Sequence, residues 1–340
     1  MESFNAFIST SFWAFANSIN KPKDAKRFFG FFVCGSKIGG MLGAGSLYLA
    51  ITFLPNVAPQ ILLPSWLLLG SVLLFCAALC VYLLMKKVPG YYMHGYEAVY
   101  QLEKKKKRQE EKKVKKESVL KFLKNAIEGL LLIIKNPYVL GIFSLVIFYE
   151  VIVVIFDFRF LLAADAASTS ATGLALSYAS YYFIFNSIGL IFVIFGTTPI
   201  LRLLGIRITL FVFPIFIIGM LFVTLLFPYT SVFFWALIFL RALNYAFNHP
   251  TKEVLYIPTP KNIKFKAKAW IDGFGSRISK GTGSIFNLAV KGGASQSLVI
   301  FTSILFSLGL ATAWIVVVYF LGKVLQDAIS NKKVIGKEEA

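Results

Sequence analysis

Long apolar runs separated by short polar or basic stretches dominate the chain, near residues 28–54, 61–86, 136–162, 173–200, 206–228, 231–257, 266–291 and 295–322. Each is close to the ~20 residues a helix needs to cross about 30 Å of hydrocarbon, so the pattern predicts eight full membrane crossings. The sixth and seventh stand apart: residues 244–283 are too polar to face lipid and fit a membrane only if they face protein or water. Residues 3–19 form one further apolar segment of helix length. Between the second and third spans, residues 96–117 contain KKKKRQEEKKVKK, a charge run that cannot be buried and reads as a solvated linker. Leu120, Leu123, Ile127, Leu130 and Ile134 then recur at helical spacing, with Lys121, Lys124 and Glu128 turned away. That is the signature of an amphipathic helix on the membrane surface, before Asn136 and Pro137 open the next span.

Charge orients these elements. The connections at 21–27, 86–135, 202–207, 261–268 and 323–337 are basic, whereas 55–60, 163–172 and 228–230 carry no Lys or Arg; only Lys291 breaks the alternation. The positive-inside bias puts the basic set and the carboxyl terminus in the cytoplasm. The same bookkeeping puts Met1 outside, so an odd number of upstream helices is expected to be missing; the alternative is that residues 1–19 lie in the interface as an amphipathic segment. Composition agrees with a membrane solvent: 57% hydrophobic, 16% aromatic and only 15% charged residues, with a mean hydropathy of +0.73, exclude a water-soluble globule. The net charge of +19 is confined to clusters, 13 Lys plus Arg against 5 Glu at 86–124 and 7 against 2 acidic residues at 250–280, which border apolar spans. Orientation explains them better than nucleic acid does. Cys34, Cys76 and Cys80 sit inside apolar runs, where they read as small packing residues and exclude a disulfide scaffold.

The six crossings after the linker against two and a fraction before it suggest two six-helix halves, the first shortened. The expected division is 1–90 as the remnant of an amino-terminal bundle, 91–135 as basic linker and surface helix, 136–325 as a carboxyl-terminal six-helix bundle and 326–340 as a cytoplasmic tail. Gly35, Gly39 and Gly43 recur every four residues, a spacing that lets helix backbones approach closely in lipid. No phosphate-loop motif occurs, and His94 and His249 have no acidic or cysteine company at ligand spacing, so neither an ATPase nor a metal or other cofactor is expected. With no His, Cys or paired-carboxylate constellation, an enzyme is the least expected class.

Ionisable residues within spans carry the functional signal, since each costs roughly 2.5–3.5 kcal/mol at a helix centre unless it has a partner or water. Glu150, Asp157 and Arg159 interrupt one apolar run; Asp157 and Arg159, two apart, cannot face each other, so each needs a partner on another helix unless Arg159 snorkels to the outer interface. The densest set runs from Arg241 to Ser284. There Lys268, Asp272, Arg277 and Lys280 are expected on or near one side of a helix, where they would line an aqueous cavity and grip phosphate. The plainer reading of the same residues is a cytoplasmic loop followed by a packing helix.

PTKEVLYIP at 250–258, KAKAWID at 266–272 and SRISKGTGS at 276–284 resemble the late signature of the ATP/ADP translocase family of plastids and intracellular bacteria. FWAFANSINKPKDAKRFFGFF at 12–32 is similar to that family's fourth helix and following loop, and DFRF at 157–160 to the acidic motif of its seventh. The resemblance implies a major-facilitator-like, all-α polytopic carrier, here with eight full transmembrane helices plus a partial amino-terminal one, exchanging ATP and ADP by alternating access. It implies a multi-pass protein of a bacterial inner membrane whose partners are nucleotides and the lipid bilayer, not nucleic acid. Substrate handling falls on Asp157 and on Lys268 or Lys280; Arg277, with Arg241 a further candidate, would neutralise phosphates, and Asp157 and Asp272 would pair with these cations in the empty site. Leu161 is apolar where many relatives carry Lys, and Glu150 stands where a small residue is common. These departures leave open a carrier of another anionic, nucleotide-containing metabolite, and the shortened amino terminus leaves open a non-transporting membrane protein.

Overall fold

The computed structural model describes residues 22–87, 128–256, 258–260, 263–291, 295–331 and 335–336. The segment at 1–19 and the linker at 91–127 lie outside these residues, as does the first part of the expected surface helix. Every regular element described is helical: α1 (Pro22–Phe53), α2 (Pro59–Lys87), α3 (Pro137–Ala167), α4 (Ala171–Ile191), α5 (Thr197–Leu226), α6 (Thr230–Leu243), α7 (His249–Leu255), α8 (Lys268–Trp270), α9 (Ser276–Lys291) and α10 (Gln296–Ser330). A helical stretch at 128–135 precedes α3. Among the described residues, five stretches are long and apolar enough to cross a membrane, Pro59–Cys80, Pro137–Ala167, Ala171–Phe195, Gly205–Leu226 and Ser297–Ala328, while Thr230–Leu243 is apolar but shorter. The fold is an all-α membrane helix bundle.

Helix boundaries follow local chemistry. Asn136 caps α3, its side-chain oxygen accepting from the backbone N–H groups of Tyr138 at 3.0 Å and Val139 at 3.3 Å, with Pro137 in the first turn where no N–H is missed. The basic connection expected at 202–207 is a sharp kink within α5: Gly205 has φ 70°, a left-handed conformation that only a residue without Cβ adopts freely. Four π-type turns, each one residue wider than an α turn, interrupt the helical path at Phe192–Gly196, Asn244–Asn248, Ile263–Ala267 and Ile271–Gly275. Three of the four fall in the polar stretch that the sequence singles out.

The residues form two compact units, one of 1–36 and 46–119, the other of 37–45 and 120–340. In the first, α2 turns most of its apolar side chains outward, Leu67, Leu68, Leu73 and Phe75 among them. In the second, α3 is the central element, with α6, α9 and α10 packed around it. Its buried face includes Ile142, Leu145, Ile152, Ile155 and Phe156. Trp314 of α10 is fully buried, its ring 6.0 Å from Phe148 and 5.4 Å from Phe213. Between helices already in lipid, hydrophobic transfer contributes little and close van der Waals fit decides. The contacts are accordingly tight at small residues: a Cβ on Gly141 would stand 2.9 Å from Leu321, on Gly275 2.6 Å from Phe143 and on Gly283 3.1 Å from Val154.

Among the described residues the expected close approach is made elsewhere on α1: a Cβ at Gly35, Gly39 or Gly43 meets nothing within 4 Å, whereas Gly40 abuts Asn186 and Gly45 abuts Phe183. At about 100° per residue, Gly35, Gly39 and Gly43 fall on the side of α1 opposite Lys37, and it is the Lys37 side that packs. Regular spacing identified a stripe of small residues but not which stripe is in contact.

Candidate functional site

Two groups of ionisable side chains lie within the second unit. The first gathers where α3, α4 and α6 meet. Asp157 of α3 accepts a hydrogen bond from Arg241 Nη2 of α6, and the two side chains remain about a third and a fifth exposed. The guanidinium also lies over the Tyr181 ring, 5.8 Å from its centroid, and its Nε has no hydrogen-bond partner. Lys37, only 5% exposed, brings its ammonium 3.8 Å from the ring centroid of Tyr245 and 4.2 Å from that of Phe185, close enough to Arg241 to feel its charge. Room for this amine comes from Gly189, where a Cβ would stand 3.1 Å from Lys37 Cε. Tyr245 lies in the fields of Arg241, Glu150 and Lys280, so those three belong to the same neighbourhood. Glu150 accepts from Ser276 Oγ at 2.7 Å, tying α3 to the start of α9.

Chemically this is a cationic patch floored by aromatic rings. The ring faces stabilise the cations without neutralising them, because a π face supplies partial negative charge but no proton acceptor. Asp157 holds one edge of the Arg241 fork and leaves Nε free. Such an arrangement can receive a phosphate oxygen from an anionic ligand and offers rings on which a planar base can stack.

The second group joins α7 to the helical path after it. Lys252 donates to Asp272 Oδ1 at 2.9 Å, Lys268 pairs with Glu253 and lies 5.4 Å from the Tyr256 ring, and Lys266 donates to Glu128 Oε2 at 2.6 Å. These are partly exposed pairs, and each ties one helix to another.

A profile of the TLC ATP/ADP transporter family matches residues 4–238 and 229–325. The chain belongs to that family. Family membership and the apolar helices together make it an integral membrane protein of a nucleotide-transporter lineage, with nucleotide antiport as the family's activity. Comparison with curated proteins and with solved structures gives no match.

Within this TLC family member the six candidate residues divide. Asp157 and Arg241 come together as an ion pair. Lys280 lies close enough to the same patch for its charge to act on Tyr245. Lys268 and Asp272 do not join them: their partners are Glu253 and Lys252 rather than Asp157 or Arg277. Arg277 is exposed. A continuous helix from 266 was expected to bring all four late residues near one side, but the helical path is interrupted by a wide turn at Ile271–Gly275, and Lys268 and Asp272 are engaged by Glu253 and Lys252 of α7 instead.

Arg159 does not snorkel outward. It is 4% exposed and donates from Nη2 to Asn287 Oδ1 at 3.2 Å. The residue that sequence reasoning missed is Lys37. It is the one cation in the apolar run 28–54, and the rule that flagged Asp157 would have flagged it too.

Proposed function

We propose that the protein exchanges adenine nucleotides, ATP against ADP, by alternating access, with Arg241 and Lys37 as phosphate-binding cations and Lys280 as a third. What carries this reading is the Arg241 patch: a guanidinium held by Asp157 with its Nε unpaired, beside a buried ammonium that lies over the ring faces of Tyr245 and Phe185. A polyanionic substrate would supply an acceptor for the unpaired Arg241 Nε and negative charge beside Lys37. In the empty carrier Asp157 limits the cost of the desolvated guanidinium, and phosphate would compete for it. Tyr181, Tyr245 and Phe185 offer ring faces for the base. Lys268 and Asp272 then serve as inter-helix ties that break and reform as the bundle rocks, with Arg277 supplying surface charge near the entrance. A major-facilitator-like pairing of six-helix halves, with the basic linker between them, suits this cycle. A bacterial inner membrane with a cytoplasmic carboxyl terminus suits the loop charges.

The test is uptake of labelled ATP into bacterial cells expressing the protein, with unlabelled ADP, other nucleotides and nucleotide-containing cofactors as competitors. Competition by ADP alone among them supports ATP/ADP exchange; stronger competition by another anionic metabolite reassigns the substrate. Arg241→Gln and Lys37→Met should each lower uptake at least tenfold with membrane insertion unchanged. Uptake at wild-type levels in both overturns the assignment of the site.

A further inference from the structure

A second place in the bundle leaves positive charge without an acceptor. Arg159 is buried on α3; one nitrogen donates to Asn287, the guanidinium lies 5.2 Å from the Phe158 ring centroid, and Nε and Nη1 have no hydrogen-bond partner. A desolvated guanidinium with two unpaired nitrogens is an unfavourable arrangement that an oxyanion would relieve. Arg159 lines a cavity of about 430 Å³, and the rest of the wall is almost entirely apolar, with Leu162, Ala166, Phe233, Val299 and Ile300 among its residues.

An independent feature points the same way. Thr230, the first residue of the 14-residue helix α6, lines the same cavity, and the helix opens there without a side-chain cap, since Tyr229 supplies no hydrogen bond. An uncapped helix start exposes N–H groups and the positive end of the helix dipole. The connections 163–172 and 228–230 contain no Lys or Arg, and among the residues that line the cavity Arg159 is the cation. Asp157, two residues before it, pairs instead with Arg241, which separates this cavity from the patch described above.

We propose that the cavity binds an amphiphilic carboxylate or phosphate. Its oxyanion sits between Arg159 and the first turn of α6, and its apolar body lies along Leu162, Ala166, Val299 and Ile300. A small inorganic anion would satisfy the cation but leave the apolar wall empty; a neutral amphiphile would fill the wall and leave the guanidinium unpaired.

The experiment measures thermal unfolding of the full chain by tryptophan fluorescence in phosphatidylcholine nanodiscs. The probes are decanoate and decyl phosphate, against decanol, acetate and inorganic phosphate. Decanoate or decyl phosphate near saturation should raise the midpoint by about 2–5 °C, with decanol, acetate and inorganic phosphate giving under a third of that. Arg159→Gln should abolish the shift, and so should Ala166→Phe, which fills the cavity and keeps the guanidinium, so a folding failure of one variant leaves the other informative. Arg241→Gln should keep the shift. Replacing part of the phosphatidylcholine by phosphatidic acid separates the sources: a shift from that lipid names the bilayer, and a shift from decanoate alone names a soluble acid. Equal shifts from decanol or acetate, a shift that survives Arg159→Gln, or one that Arg241→Gln removes would each overturn the proposal.

Discussion

Asp157 and Arg241 share a single hydrogen-bonded contact, and the neutral isostere isolates its electrostatic part. Asp157→Asn keeps the shape of the side chain and an oxygen that can still accept from the guanidinium but removes the negative charge, so a loss of about 1–3 kcal/mol in stability is expected, measured as a lower unfolding midpoint in detergent or nanodiscs. Lys268 and Glu253 pose a different question, because their pairing joins two helices near the end of the bundle. Lys268→Ala alone abandons a partly exposed carboxylate, and the added change Glu253→Gln removes the abandoned charge. If Lys268 acts as a tie, the double variant recovers part of the stability and uptake lost in the single one; if it contacts substrate, uptake stays low in both. Lys37 is distinguished by what its surroundings can hold. Lys37→Arg keeps the charge but presses a planar fork against Gly189, so uptake should fall less than in Lys37→Met while still falling clearly.

Among the elements, the kink at Gly205 and the cap at Asn136 are the places where one residue decides a helix boundary. Gly205→Ala meets no neighbouring atom and suffers only from its positive-φ, extended-ψ backbone, a region that only glycine occupies readily, so the cost should be about 1–3 kcal/mol. Asn136→Ala should cost about 1 kcal/mol through two lost bonds to backbone N–H groups. Both are read as shifts of the unfolding midpoint. These boundaries were legible beforehand because Asn-Pro and basic-Gly-basic stretches act locally. Five of the eight expected spans were legible for the same reason, since apolar length reports on lipid directly. The grouping of charges was not. Pairing Lys268 and Asp272 with α7 depends on wide turns whose local sequence, IKFKA and IDGFG, carries no rule that forces an extra residue into the turn. The contact stripe on α1 was hidden too, because a glycine spacing is the same whichever side of a helix meets a neighbour.

At the scale of the whole molecule, loop charge predicts orientation independently of any site. A fluorescent reporter fused after residue 340 should light up and an alkaline phosphatase fused at the same point should stay inactive, as expected of a cytoplasmic end. The reverse pattern would invert the reading of every basic connection. Two cationic regions in one bundle, one floored by aromatic rings and the other by an apolar cavity, also predict separable responses. Added nucleotide should stabilise wild type and Ala166→Phe alike, and should fail to stabilise Arg241→Gln.

The broadened turn at Ile271–Gly275 has a consequence for tolerance to deletion. It holds one residue more than a regular helix needs, so removing Gly273, whose Cβ position opens on empty space, should let the backbone contract while Gly283 and Asn287 keep their hold on the central helix. Cutting a residue at 281, inside the regular stretch, would instead swing Gly283 and Asn287 away by about 100°. The same one-residue loss is thus a trim at one point and a derailment two helical turns later.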